Sequence, residues 1–125
     1  MLLSLSRKLT AEFLGTAFLL AGVVGSGIMA DRLSDDTGLV LFQNTAATAA
    51  VLVAIILAFG PLSGAHFNPA VTLTERALGN IDSPTAAAYI ASQLAGGVVG
   101  VMTANLMFDL SAINWSTKDL SLIHI

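Results

Sequence analysis

The chain has 125 residues, of which 55% are hydrophobic and only 10% are charged. Because a soluble domain carries about 25% charged residues, this composition cannot cover a water-facing surface, and it predicts an integral membrane protein. The net charge of −3 is small and scattered, which argues against nucleic acid as a partner. The sequence has no cysteine, so it can form neither a disulfide nor a cysteine-based metal site.

Three apolar segments are long enough to cross a bilayer, which takes about 20 residues in a helix. They cover residues of about 9–30, 39–59 and 85–108. Because backbone polar groups in lipid must be satisfied within their own segment, all three are predicted to be helices. The uncharged part of the first segment is longer than the apolar core of a secretory signal peptide, which is about 7–15 residues. We therefore expect it to be retained as a span, with a cleaved signal peptide as the alternative.

The segment between the second and third spans, residues 60–83, has a different composition. It mixes glycine, proline, serine, histidine and asparagine with apolar residues, and its first half carries no charge. Pro61, Gly64 and Pro69 interrupt it too often for a span, yet it is too apolar for an ordinary water-exposed loop. It favours a re-entrant loop over residues 60–80, with irregular backbone lining a cavity at membrane depth. A surface loop at the membrane interface is the alternative.

The basic residues predict an orientation, because cytoplasmic loops carry an excess of lysine and arginine. Arg7 and Lys8 precede the first span, and Arg76 follows the second span on the same side of the membrane. Arg32 and Lys118 fall on the other side. The bias is small, but the first helix usually dominates. We expect the N-terminus and the re-entrant loop to be cytoplasmic, in a bacterial inner (plasma) membrane.

Asn68-Pro69-Ala70 is placed to begin a short helix inside the loop. Proline is tolerated at the first helical position, and asparagine just before it is a favoured N-cap. The helix would end near Gly79-Asn80, a good C-terminal stop. Its positive N-terminal end would then point into the membrane interior, which suits a polar pore. For Asn68 alone, a plain N-cap in a surface loop is the alternative.

The segment Ser63-Gly64-Ala65-His66-Phe67-Asn68-Pro69-Ala70-Val71-Thr72 resembles the first signature loop of the aquaporin and glycerol-facilitator (major intrinsic protein) family. Ala11-Glu12-Phe13-Leu14-Gly15-Thr16 is similar to the opening of the family's first helix. Tyr89 and Ala91-Ser92-Gln93-Leu94-Ala95-Gly96-Gly97 are similar to its third helix. The resemblance covers roughly residues 9–108. The two flanking motifs make it far more specific than the Asn-Pro-Ala tripeptide alone. It implies an all-α membrane protein with three transmembrane helices and a re-entrant loop carrying a short half-helix, one inverted-repeat half of the aquaporin fold.

The resemblance implies a passive channel for water and/or small neutral solutes, with glycerol and metalloid acids as candidates. The amide of Asn68 would donate a hydrogen bond to the passing solute, carbonyls of the loop would accept from it, and the half-helix dipole would repel cations. Val71 would supply an apolar wall. The implied pore-lining residues are Gly64, Ala65, His66, Phe67, Asn68, Pro69, Ala70 and Val71.

Four further side chains acquire roles from this resemblance. Glu12, an intramembrane carboxylate, would accept backbone N–H groups and brace the loop, with snorkelling to the interface as the alternative. Gln93 would brace it from the third span. His66 would lend its carbonyl to the pore and pack its ring behind, rather than act as a ligand or proton shuttle. An ungapped count back from Asn68 places Thr48 at the second-helix position of the selectivity filter, where threonine would leave a wider or more polar constriction.

Members of this family have six spans and two such loops, related as inverted repeats. We therefore interpret residues 1–119 as the N-terminal half. The second Asn-Pro-Ala loop and the filter arginine that follows it, which help to set selectivity in this family, are not in this sequence. The last residues, 120–125, resemble the translation of a transposase sequencing adaptor, and we expect them to be non-native.

A non-conducting three-span assembly or anchor subunit is the alternative function. An enzyme is disfavoured, because the sequence has no paired acid and base, no nucleophile beside a base and no metal-ligand cluster. We expect neither a cofactor nor a metal. Secondary active transport is disfavoured because Glu12 is the only carboxylate within a span. The implied partners are membrane lipid, water and small neutral solutes, with a homotetramer as the full-length form and no nucleic acid.

Overall fold

A computed structural model describes residues 3–115 of the chain. Its helices are α1 (Leu5–Leu33), α2 (Thr37–Ser63), α3 (Pro69–Ala77) and α4 (Ser83–Met107). The described residues include no strand, which confirms the all-α prediction. Three of the helices, α1, α2 and α4, are long and apolar enough to cross a membrane. The predicted boundary after Asp119 and the tail at 120–125 lie outside the described residues.

Each spanning helix is longer than the apolar segment predicted for it, and α2 and α4 each begin after a capping aspartate. At the start of α2, the Asp36 carboxylate accepts a hydrogen bond from the backbone N–H of Leu39 at 2.9 Å. At the start of α4, the Asp82 carboxylate accepts from the N–H of Thr85 at 2.9 Å. Each bond satisfies one of the N–H groups that a helix N-terminus leaves unpaired. The hydrogen bonds from Thr85 hold the pKa of Asp82 below its usual range.

The re-entrant segment starts later than predicted. Helix α2 runs through Pro61 to Ser63, so residues 60–63 are helical rather than part of the loop. Proline removes one hydrogen bond of the helix, but here it lies in the last turn and the helix continues past it. The helix ends at Gly64, which has a φ of 92° and donates its N–H to the carbonyl of Gly60 at 2.9 Å. A left-handed glycine after the last turn is the common way to end a helix.

Helix α1 is the centre of the bundle, since it packs against both α2 and α4. Its contact with α4 is very close. A Cβ atom added to Gly96 would lie 2.2 Å from the carbonyl oxygen of Phe13, and one added to Gly100 would lie 2.3 Å from that of Ala17. The glycine pair four residues apart therefore brings the two backbones into direct contact, as small residues do in membrane helices.

Polar contacts join the helices at the end of the bundle where α1 meets α2. The side-chain amide of Asn44 donates to the carbonyl of Val23 at 2.8 Å and to the hydroxyl of Ser26 at 3.0 Å. Nearby, the Arg32 guanidinium donates to the carbonyl of Phe108 at 2.6 Å and lies 5.2 Å from the centre of its ring. These bonds tie the far end of α1 to α2 on one side and to the end of α4 on the other.

Most of the α2 surface faces outward. Ile55 is its only buried residue, and large side chains such as Phe42 and Leu57 are 70% and 74% exposed. A soluble protein rarely exposes apolar patches of this extent. The exposed face of α2 is therefore suited to contact with lipid or with further membrane helices.

Candidate functional site

The re-entrant loop is held by one buried carboxylate. Glu12 on α1 is 0% exposed. Its Oε1 accepts from the Ser63 hydroxyl at 2.5 Å and the His66 N–H at 3.0 Å, and its Oε2 accepts from the Phe67 N–H at 2.7 Å and the Gln93 amide at 2.8 Å. Burial of a carboxylate is very costly unless it is well hydrogen-bonded. These four donors meet that demand, and three of them belong to the end of α2 and the loop.

Gln93 joins three elements from its position on α4. Its Nε2 donates to Glu12 on α1 at 2.8 Å and to the hydroxyl of Thr72 on α3 at 2.9 Å. The side chain is 1% exposed. Because the carboxylate of Glu12 only accepts hydrogen bonds, the amide nitrogen of Gln93 must face it. The orientation of this amide is therefore determined by its partners.

The loop backbone is bent sharply so that its N–H groups point toward Glu12. Ala65 and Phe67 have φ of 55° and 49°, in the left-handed region that residues other than glycine seldom occupy. Such a residue costs about 1–3 kcal/mol and persists only where its surroundings enforce it. Here the enforcing bonds are those to Glu12 and one from the Ala65 N–H to the Ser63 hydroxyl at 3.1 Å. No backbone hydrogen bond within residues 3–115 ends on a carbonyl of residues 64–67.

Helix α3 begins at the predicted residue. Pro69 is its first residue and Asn68 is its N-cap, with extended backbone (φ −153°, ψ 127°). The Asn68 Oδ1 accepts from the Ala70 N–H at 2.8 Å, which leaves the Nδ2 group free of partners in the part of the chain that the structure describes. Asn68 is exposed and Val71, on the next turn of backbone, is 41% exposed. The site thus presents an unpaired amide donor beside unpaired carbonyl acceptors.

The two aromatic residues of the loop pack against protein. The ring of Phe67 is 3% exposed and occupies the space where a side chain at Gly15 would lie, since a Cβ there would come within 2.0 Å of it. The His66 ring has its Nδ1 3.0 Å from the hydroxyl of Thr72 and meets the Tyr89 ring edge-on at 5.2 Å. Both rings therefore hold the loop from behind, and neither extends freely into open space.

Sequence reasoning missed three bracing residues. The hydroxyls of Ser63 and Thr72 bond to Glu12 and Gln93 respectively, and the Tyr89 hydroxyl donates to the carbonyl of Ser63 at 2.8 Å. The available signal was their polarity inside an otherwise apolar stretch. Ser63 and Thr72 stand at the two ends of the signature segment, so polar groups at its edges could have been read as supports.

Thr48 stands apart from this network. It lies near the middle of α2 and is half-buried. No hydrogen bond among the described residues joins it to Asn68 or to the loop. Its assignment to a selectivity filter therefore depends on the sequence count alone.

A groove of about 610 Å³ runs along α1 and α4 beside Asn68. Its lining is mainly aliphatic, and its polar members are few. Those that matter for the site are Thr16, Asn68, Gln93 and Asn105. Trp115, at one end, is 86% exposed. The free amide of Asn68 is thus one of a few polar groups on an otherwise apolar wall.

The family model of the major intrinsic proteins matches residues 2–120, nearly the whole chain. The chain belongs to the major intrinsic protein family. Its membership and its three long apolar helices make it an integral membrane protein. The family is one of membrane channels and not of enzymes. The four helices correspond to half of the aquaporin fold.

Relatives within the family include channels from bacteria and plants. Aquaglyceroporin AqpS of Rhizobium meliloti (strain 1021) is 51% identical over 114 residues, which are 91% of this chain and 49% of the relative. Aquaporin Z of Photorhabdus laumondii is 38% identical over 93 residues, 74% of this chain and 40% of the relative. Aquaporin NIP1-2 of Arabidopsis thaliana is 34% identical over 104 residues, 83% of this chain and 35% of the relative. The chain thus spans half the length of these relatives or less.

Proposed function

We propose that this chain forms the first half of a passive channel for water and small neutral solutes. The observation that carries the proposal is the polarity of the loop. Its N–H groups at His66 and Phe67 turn inward to Glu12, while the carbonyls of 64–67 and the Asn68 amide have no partner among the described residues. An amide donor on an apolar wall, with carbonyl acceptors in the adjoining loop, suits a small molecule that both donates and accepts.

In the proposed mechanism, the oxygen of a passing water or alcohol accepts a hydrogen bond from Asn68 Nδ2. Its hydrogens turn toward the carbonyls of 64–67. A water oriented in this way does not donate along the file of waters, which interrupts proton hopping. The N-terminal end of α3 at Pro69 carries a partial positive charge, which opposes the passage of cations. Val71 supplies an apolar wall, so few polar contacts retain the solute.

The hydrogen bonds around Glu12 keep the Asn68 amide and the loop carbonyls in place. A channel needs its polar groups fixed, because a loop that moves loses the alignment of donor and acceptors. Glu12 holds the loop from α1, and Gln93 holds both Glu12 and the first turn of α3 from α4. We therefore assign these two residues a bracing role and no direct contact with solute.

We propose glycerol as a permeant beside water. The basis is the 51% identity to a relative named as an aquaglyceroporin. In this proposal Thr48 contributes a small polar side chain to the constriction, where a bulky aromatic would narrow it for water alone. The bacterial relative also supports a bacterial inner membrane as the location. The cytoplasmic N-terminus and a homotetramer of full-length subunits remain part of the same proposal.

Stopped-flow light scattering on proteoliposomes tests the channel. The chain is compared with a version completed by the second half of the Rhizobium relative, under an osmotic gradient of sucrose and then of glycerol. The completed protein should accelerate shrinkage in sucrose and swelling in glycerol. Asn68→Leu should abolish the gain, whereas the control Asn80→Leu, outside the loop motif, should keep it. A completed, folded protein that leaves vesicle kinetics unchanged would favour a non-conducting assembly subunit instead.

A further inference from the structure

Two buried oxygen atoms at the contact between α1 and α4 have no hydrogen-bond partner among residues 3–115. They are Oγ1 of Thr16 and Oε1 of Gln93. The two residues are 4% and 1% exposed, so bulk water does not satisfy them. A buried polar group without a partner is rare in native proteins, and an enclosed water is a common reason for it. Neither atom has a role in the bracing of the loop described above.

The unpaired oxygen of Gln93 is an acceptor. Its amide nitrogen is committed to Glu12 and Thr72, and exchange of the two amide atoms would place oxygen against the Glu12 carboxylate. The orientation is therefore fixed, and Oε1 faces away from Glu12. Only a donor can satisfy it.

The hydroxyl of Thr16 has a similar need. Four other helical threonines donate to the carbonyl four residues earlier, a common local solution. Those that do so are Thr10, Thr72, Thr74 and Thr103. Thr16 forms no such bond to the carbonyl of Glu12. Its methyl Cγ2 lies 3.8 Å from where a Cβ on Gly97 would be, so the side chain faces α4.

Thr16 and Gln93 lie on facing turns of α1 and α4, since Thr16 contacts the position of Gly97, one turn after Gln93. Thr16 lies one turn after Glu12 on α1, and Glu12 is bonded to Gln93 across the seam. Both Thr16 and Gln93 also line the groove beside Asn68.

We propose that a single water molecule is bound between the Thr16 hydroxyl and the Gln93 amide oxygen. Water is the smallest molecule that can both donate to Oε1 and pair with a hydroxyl. Buried waters typically make about three hydrogen bonds, and these two groups supply two of them on the wall of the groove. By donating to Oε1, the water polarises the amide and strengthens the bond that Nε2 donates to Glu12. Thr16 is therefore a positioning residue that acts on the loop through the water and Gln93.

Whether a Thr16 variant has a lower or a higher unfolding midpoint tests the proposed water site, and this test does not depend on whether the channel conducts. Thr16→Val has the same shape but no hydroxyl, and Thr16→Ser keeps the hydroxyl. With a bound water, Thr16→Val should lower the unfolding midpoint of the chain in detergent by about 3–6 °C, and Thr16→Ser should change it less. If the hydroxyl is merely unpaired, its removal should leave the midpoint unchanged or raise it, and that result would overturn the proposal.

A second measurement locates the water directly. A crystal structure of the chain or of its completed form at about 1.8 Å should show a density peak within hydrogen-bond distance, about 3.2 Å or less, of both oxygens. The peak should be absent in Thr16→Val. A well-ordered seam without density between the two oxygens would contradict the site, whether or not the channel conducts.

Discussion

Glu12 is the residue on which the loop depends most. Its carboxylate is fully buried and receives donors from the end of α2, from the loop and from α4. The loop residues His66 and Phe67 have no alternative partner for their N–H groups among the described residues. The charge and the loop conformation therefore stabilise each other, and neither would persist alone at membrane depth.

Replacement of Glu12 by glutamine should destabilise the chain. The substitution keeps the shape but turns one acceptor into a donor, which would face an N–H or a hydroxyl that also donates. We expect a loss of about 1–3 kcal/mol in the free energy of unfolding, the usual cost of an unsatisfied buried group. Unfolding by SDS in mixed micelles, followed by circular dichroism, measures it.

Glu75→Gln is the matched control for this substitution. Glu75 lies on α3 and bonds to the Asn80 amide at the surface, so its change should stay within about 0.5 kcal/mol. Equal stability of the Glu12 and Glu75 variants would mean that the buried carboxylate does not support the loop.

Asp82 gives a residue-level prediction about pH. Its pKa is lowered by the hydrogen bonds that it accepts from Thr85, so its contribution to stability is complete above the usual aspartate pKa of about 3.9. The contribution is lost as pH falls through the lowered pKa. Asp82→Asn should therefore make unfolding midpoints less dependent on pH below about 4, measured by thermal melts between pH 3 and 7. An identical pH profile in both proteins would contradict this.

At the scale of elements, the half-helix was the most predictable part of the site. Asn68, Pro69 and Gly79 carry local signals for the start and end of a helix, and α3 runs over Pro69–Ala77 with Gly79 at a φ of 81°. The start of the loop was less predictable. Pro61 was expected to interrupt the span, but proline in a last turn costs little because the bond that it removes is near the helix end.

The loop conformation itself could not be predicted from local sequence. Ala65 and Phe67 adopt left-handed backbone, which neither residue type favours. The cause is Glu12, more than 50 positions earlier in the chain. Local patterns identify residues that can turn a chain, but they do not show when a distant acceptor forces alanine and phenylalanine to do so. The same reason explains why Ser63, Thr72 and Tyr89 were missed.

The contact between α1 and α4 leads to a prediction with an internal control. Gly96→Ala places a methyl group against the Phe13 carbonyl oxygen at 2.2 Å, whereas at Gly97 the nearest atom would be 3.8 Å away. Because backbone cannot yield as a side chain can, Gly96→Ala should cost about 1–3 kcal/mol, despite the better helix propensity of alanine. Gly97→Ala should be neutral or stabilising.

SDS titration of both glycine variants checks this difference. The reference is the parent chain, and the helix content of each variant before titration confirms that it has folded. Similar midpoints for Gly96→Ala and Gly97→Ala would show that the helices can separate without cost, and the close packing of α1 on α4 would then have no energetic importance.

At the scale of the whole molecule, α1 is the support for both neighbouring spans. Helices α2 and α4 each pack on α1, and α3 packs on α4. The outer surfaces retain many exposed apolar side chains, among them Leu57 at 74% and Trp115 at 86%. Composition alone predicted this membrane character, because 10% charged residues cannot cover three spans of this length with polar surface.

The orientation of the bundle is testable because the sequence contains no cysteine. Single cysteines can be introduced at Ser4, Asp35 and Asn80, which are all exposed. Since α1 and α2 each cross the membrane once, Ser4 and Asn80 lie on one side of it and Asp35 lies on the other. We expect a membrane-impermeant maleimide to label Asp35→Cys in intact spheroplasts, and to label Ser4→Cys and Asn80→Cys only after lysis. The reverse pattern would place the N-terminus outside.

The bracing of the loop from α4 has a consequence for the order of events during synthesis. Glu12 leaves the ribosome 51 positions before Ser63 and 81 before Gln93. When the second span is being made, the carboxylate of Glu12 on the first span has already left the ribosome without any of these donors. The buried carboxylate is therefore made before every one of its hydrogen-bond donors. Ser63, His66 and Phe67 follow next in the chain, and the set of donors is complete only once Gln93 on α4 has been made.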